Sequence, residues 1–213
     1  MASVGAMDAY FCDAYADVLA RLFKAKNMQP AIRLTNAIEK IELPVRAIFA
    51  QTNVRENWKW RLAARGLMEK DNVLSMDKIK QLFNPFLRKG HKLFEIPMLE
   101  DWILVRKAPR RVVGTNATSY RRLSAKSKSE ARKVARMKLC AYYDSICQRR
   151  NDCIHNCDRP KMSLQSISVS AVEKVVTDIK LLVSSSDNHF EKEFNHHLQT
   201  IGANGVTRNA CGY

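Results

Sequence analysis

Glycine and proline are both scarce in this chain of 213 residues, at 7 and 6 respectively, and neither gathers into a repeat. That excludes collagen-like and low-complexity architectures and disfavours turn-dense all-β folds. No run approaches the roughly 20 apolar residues that a membrane-spanning helix needs, and the N-terminus has no basic stretch followed by an apolar core. A cytoplasmic protein with no membrane partner is therefore expected. A glycine-rich loop able to cradle phosphates is also missing, which disfavours ATP-driven chemistry. What is present is a 46% hydrophobic share, enough to bury a core. At this length one domain is the first expectation. An all-α fold is predicted, with a single helical domain over residues 1–201 and a loose, flexible C-terminal tail over 202–213, where three glycines fall close together.

Acidic side chains are outnumbered, 21 against 36 Lys plus Arg, for a formal charge of +15. The excess is unevenly placed. Residues 1–87 carry 13 basic and 9 acidic side chains, residues 88–138 carry 15 and 4, and residues 139–213 carry 8 of each. A block this basic is an electrostatic footprint for a polyanion, with nucleic acid ahead of an acidic protein or a membrane surface. The plainer alternative is a solvated basic face, and neither reading implies sequence selectivity.

Apolar spacing of three and four residues predicts a long helix from Ser3 to about Lys26, through Met7, Tyr10, Phe11, Ala14, Val18 and Leu22. The same period resumes after Pro30 with Ala31, Leu34, Ile38 and Ile41, and again over Arg55 to Lys70 with Trp58, Leu62 and Leu67. Shorter helical pieces are expected around Met76–Phe83 and Pro97–Val105. Residues 106–128, punctuated by Pro109 and Gly114, read as a basic loop or insertion. Ser127 with Glu130 has capping-box spacing and opens a helix that runs past Arg150. That helix should stop at the NCDRP segment, residues 156–160. Ser170 with Glu173 starts a last helix whose apolar side is Val172, Val175, Val176, Ile179, Leu182 and Val183, and which either extends through Phe190, Phe194 and Leu198 or breaks at the Ser184–Ser186 run.

Chemistry concentrates in QRRNDCIHNCDRP, residues 148–160. On a helix Asn151 and His155 share a face, and the long side chain of Arg150 can swing onto it. A helix C-terminus favours a charged imidazole, so His155 can serve as a proton donor or acceptor. Arginine offers a fixed fork for the non-bridging oxygens of a phosphate. Together they suit RNA cleavage by its own 2′-hydroxyl, one group moving the proton and a cation stabilising the crowded phosphorane. That route needs no metal and no cofactor. The bare Arg-to-His spacing arises about once by chance in a chain with 18 arginines and 5 histidines. The weight rests on the asparagine directly after the arginine, the helix end and the basic composition.

RNDCIH, residues 150–155, resembles the R-polar-x-x-x-H motif of the HEPN superfamily, and the following DRPKMSLQSISVSAVEKVVTDIKLLVSSSDNHF looks like the loop and helix of RiboL-PSP-type HEPN domains. MDAYFCDAYADVL near the start is similar to that family's first helix. The likeness spans about residues 4–197 and is specific over 148–195. It implies an HEPN-like antiparallel helical bundle, and a homodimer in which two motifs share one ribonuclease site. By the same resemblance, His155 is the acid/base group, Arg150 the phosphate-stabilising cation and Asn151 an orienting contact. Arg149 reads as a phosphate contact, and Arg110, Arg111, Arg121 and Arg122 as RNA-binding residues. A toxin or defence effector, held by an antitoxin or regulatory protein, fits this reading. Some HEPN domains only bind RNA or assemble complexes, so a non-catalytic helical module is the alternative.

The remaining candidates have plainer explanations. Cys147, Cys153, His155 and Cys157 invite zinc, but their spacing matches no common finger or ribbon, and helical cysteines four apart are more often core-facing sulfur. All six cysteines read as reduced thiols. His189, His196 and His197 read as solvated side chains near a fraying end. Trp58 and Trp60, two apart, face different sides of their helix, one towards the core.

Overall fold

The computed structural model describes residues 2–34, 75–151 and 168–213, together with the helical backbone of 152–155. Among these residues there are eight α-helices and no strand. The expected helix over 55–70, with Trp58 and Trp60, lies outside the described residues, as does the continuation of the period beyond Leu34.

The first helix, α1 (Ala2–Met28), has the apolar stripe its sequence calls for, burying Val4, Met7, Phe11, Val18, Leu19 and Leu22. Helix α2 (Met76–Phe83) is capped by the Ser75 hydroxyl, which accepts from the Lys78 amide, and a 3₁₀ turn follows at Asn84–Phe86, where Pro85 cannot donate to a longer helix. Next, α3 (Ile96–Glu100) passes directly into a π-helical turn, Asp101–Val105, closed by the Arg106 amide on the Asp101 carbonyl at 2.9 Å. Two short helices, α4 (Arg110–Val113) and α5 (Ala117–Arg121), lead into the long α6 (Ala125–His155). The chain closes with α7 (Val169–Thr200) and α8 (Gly205–Cys211).

Side-chain pairings give the directions of the three long helices. Tyr10 donates to Asp187 at 2.8 Å and Gln29 to the Gly202 carbonyl at 2.9 Å, so α1 and α7 run the same way. Tyr143 of α6 meets Asp178 of α7, whereas Arg149 lines a groove with Ala171 and Val172, so α6 runs against α7. One core joins them. Its aromatic centre is Phe83 stacked on Phe190, centroids 4.1 Å apart, with Phe11 edge-on to Phe83 at 6.1 Å. Such pairs add about 0.5–1.5 kcal/mol beyond the area they bury.

Three expectations need correction and one alternative is resolved. Residues 106–128 are not a loop but hold α4 and α5, because Val112, Val113 and Tyr120 bury into the core. Gly114 makes this close approach possible. It takes φ +75 at the end of α4, and a Cβ there would lie 2.8 Å from Lys138 Cδ on α6. The segment after Gly202 is not loose either. Asn204 caps α8, Cys211 is buried, and Arg21 of α1 donates to the carbonyls of Cys211 and Gly212. The Ser184–Ser186 run does not break α7, since Ser185 and Ser186 are themselves buried. The caps also shift. The Ser124 hydroxyl accepts from the Ser127 amide, and the Ser168 hydroxyl from the Ala171 amide, so a serine two or three positions earlier holds each helix start. Among the described residues, no helix is long and apolar enough to cross a membrane.

Candidate functional site

The end of α6 carries Arg149, Arg150 and Asn151. Arg149 is exposed, Arg150 half-buried, and Arg150 Nη1 donates to Asn151 Oδ1 at 3.2 Å. Both arginines line an open groove of about 310 Å³. Its floor and walls come from Val4 at the start of α1, Ile146 and Tyr142 one and two turns earlier on α6, and Val172 and Val175 on the first turns of α7. The groove pairs an apolar wall with two guanidinium groups. Such a lining can seat a flat apolar ring and hold an anion at its edge. His155 follows Asn151 by four residues on the same helix, which places its backbone one turn further on. Its side chain, like those of Cys153 and Cys157, lies outside the described residues.

Asp178 of α7, which the sequence reading passed over, holds the groove in shape. It is fully buried, and both its oxygens accept from the guanidinium of Arg111, at 2.8 and 2.7 Å. Tyr142 donates to the same carboxylate at 2.6 Å, and Tyr143 donates to the Asp178 backbone carbonyl at 2.6 Å. Burial and the bond to Asp178 push the Tyr142 phenol up to about 12, so it stays a donor across the physiological range. A buried carboxylate is tolerable only when paired and hydrogen-bonded, and Arg111 supplies the pairing charge. Arg111 is thus paired with Asp178 although its own side chain stays 41% exposed. The pairing could not be read locally, because its partner lies 67 positions away.

The other basic residues stay at the surface. Arg110, Arg121 and Arg122 are exposed. They do not crowd the motif, however. The 31 residues of α6 span about 45 Å, with Arg121 and Arg122 just before its start and Arg149 near its end. Arg110, on α4 packed against the middle of α6, falls between them. The charge forms a track along α6 and not a patch at its end.

Zinc finds no support at Cys147. Its thiol is buried in the core, and burial, with help from Asp144 and Asp8, pushes it up to about 11, far from the thiolate that binds metal. Two of the three C-terminal histidines also differ from expectation. His196 is exposed, but His197 is buried against Phe86 and Phe194, and His189 Nε2 meets the His91 carbonyl at 2.6 Å. Comparison with protein-family models, curated proteins and solved structures finds no match.

Proposed function

We propose that the chain is a metal-independent endoribonuclease of the HEPN type, acting as a homodimer through an HEPN-like helical bundle in which α6 runs against α7 and α1 runs with it. The observation that supports this most is the groove at the end of α6, where Arg149 and Arg150 meet an apolar wall and Arg150 bonds Asn151. In this reading RNA lies along the basic track, a base rests against Val172 and Val175, and the adjoining phosphate meets Arg150. The His155 imidazole takes the proton from the attacking 2′-hydroxyl, or returns one to the departing 5′-oxygen, and Arg150 stabilises the phosphorane charge between those steps. The two-fold arrangement supplies one imidazole from each subunit, so the two proton transfers need not fall to one side chain. A toxin or defence role, restrained by an antitoxin or regulatory partner, accords with such an activity.

A non-catalytic RNA-binding module is the second reading. It is favoured by the separation of Arg121 and Arg122 from the motif along α6. One experiment divides the two. Purified dimer and its His155→Ala form are incubated with RNA in EDTA. Cleavage by the first and not the second is expected. Equal cleavage by both removes His155 from the chemistry, and none by either, with salt-sensitive binding retained, leaves the binding module.

A further inference from the structure

A second polar cavity lies about 20 Å along α7 from Val172, measured as helix rise to Ser185. Its volume is about 290 Å³. One wall is a stripe of α7 with helical period, namely Ser185, Asn188, His189, Lys192 and Glu193. Positions with this spacing in the middle of a packed helix are ordinarily apolar. Here they are polar, and two of them, Ser185 and Glu193, are buried.

The facing wall comes from the 91–106 segment. Glu193 is gripped from one side by Arg88, whose Nε and Nη2 donate at 2.8 Å each. From the other side His91 Nδ1 approaches Glu193 Oε1 at 3.0 Å. A ring nitrogen this close to a buried carboxylate must carry the hydrogen, since two lone pairs would repel. The Arg88 nitrogen 3.4 Å from the same Nδ1 is too distant to reverse that choice. The His91 ring, half-exposed, is therefore fixed with Nδ1 towards Glu193. His189 in turn holds the His91 carbonyl. Burial works against the Glu193 charge, yet the bond from Arg88 and the neighbouring His91 outweigh it, and the carboxyl sits below its ordinary range. Asp101, the other carboxylate of the cavity, is bonded to Arg106 at 2.7 Å.

With Glu193 matched by Arg88 and Asp101 by Arg106, the Lys192 charge is the surplus in the lining. The Ser185 hydroxyl is buried with no hydrogen-bond partner, and its residue lines this cavity. A buried hydroxyl left unmatched costs about 1–3 kcal/mol, so it favours any ligand that accepts its hydrogen. The facing wall contains the π-helical turn, and two non-glycine residues nearby take positive φ, Phe94 at +61 and Lys107 at +50. Such features cluster at functional sites. Pro97 and Met98 add an apolar side to the cavity. Among the described residues, no three His, Cys, Asp or Glu side chains are placed to share a metal ion.

We propose that this cavity is a second site, distinct from the groove of Arg149 and Arg150, which binds a small phosphate monoester through Lys192 and Ser185, beside the His91 ring. The phosphate accepts from the Lys192 ammonium and the Ser185 hydroxyl, and the organic part lies against Pro97 and Met98. The cavity is near the lower end of the ~300–1,000 Å³ range of small-molecule sites, which suits a sugar phosphate better than a whole nucleotide. The proposal stands independently of the ribonuclease reading.

The test is NMR of the histidine rings, with His91 and His189 assigned from His→Gln variants, during titration of the full chain with ribose 5-phosphate and with inorganic phosphate. Saturable shifts of both rings are expected with each, tighter for ribose 5-phosphate. Lys192→Ala, at an exposed position that leaves the core intact, should weaken binding roughly 10-fold or more, the effect of losing one charged hydrogen bond. Arg150→Ala should leave it unchanged. Three results overturn the proposal: a response no larger than that to chloride of equal ionic strength, the same affinity in Lys192→Ala, or binding of inorganic phosphate with ribose 5-phosphate excluded.

Discussion

The two halves of α7 use one helix in opposite ways. Its first turns leave apolar side chains in solvent, with Val169 75% and Val172 47% exposed, whereas its later turns bury polar ones, Asp178, Ser185, Ser186, Glu193 and His197. An ordinary amphipathic helix does neither. The first half faces the groove of Arg149 and Arg150, where Val172 and Val175 form part of the apolar wall. The second half faces the protein, and each buried charge there is matched by an arginine from elsewhere in the chain. The first half leaves apolar surface open, and the second carries polarity inward.

Asp178 sits where the halves meet, and breaking it should have the largest effect. Asp178→Ala removes the carboxylate that pairs with Arg111 and accepts from Tyr142, while the backbone carbonyl that accepts from Tyr143 remains. A loss of about 3 kcal/mol in unfolding free energy is expected by urea titration, from the charge-assisted bonds to Arg111 and Tyr142, since the guanidinium left behind is partly exposed. Opposite the first half, Arg150→Ala should lower RNA cleavage about 10²–10³-fold while leaving the urea midpoint nearly unchanged. A matching fall in stability would show that Arg150 belongs to the fold.

The second half should also report through pH. Burial lowers the His197 imidazole to about 4. Unfolded histidine takes up a proton near pH 6.5 and the folded one does not, so stability falls as pH drops from about 6.5 towards 4 and then levels off. The size is about 3 kcal/mol. His189, also lowered by burial, acts in the same direction. Urea titrations at pH 7 and pH 4.5 check this, and His197→Leu should flatten the difference. The smallest effect is expected on the basic track. Each charge removed at Arg110, Arg121 or Arg122 should reduce the salt slope of RNA binding by about one, read by titration at several salt concentrations.

Much of the helical pattern was legible because it is written locally. The three- and four-residue spacing of Met7, Phe11, Val18 and Leu22 predicts α1 directly, and Phe190, Phe194 and Leu198 carry α7 to its end. What escaped depends on distant partners. Pro109 and Gly114 signal a loop, yet Val112 and Val113 find the core and turn the segment into α4. Three glycines signal a loose tail, yet Arg21 reaches across from α1 to hold its carbonyls. Arg111 looks like any surface arginine until Asp178 is placed beside it. At the candidate site, the helix carrying Arg150, Asn151 and His155 was readable from sequence. The groove beside Arg150 was not, because its apolar wall is assembled from α1 and α7 as well as α6.

In the proposed function, RNA is cut by its own 2′-hydroxyl at the end of α6. The most direct test compares an RNA oligonucleotide with the same sequence carrying 2′-O-methyl groups throughout, both incubated with the dimer in EDTA. The unmodified strand should be cleaved to products ending in a 2′,3′-cyclic phosphate and the methylated strand should stay intact. Cleavage of both strands at similar rates would contradict the claim.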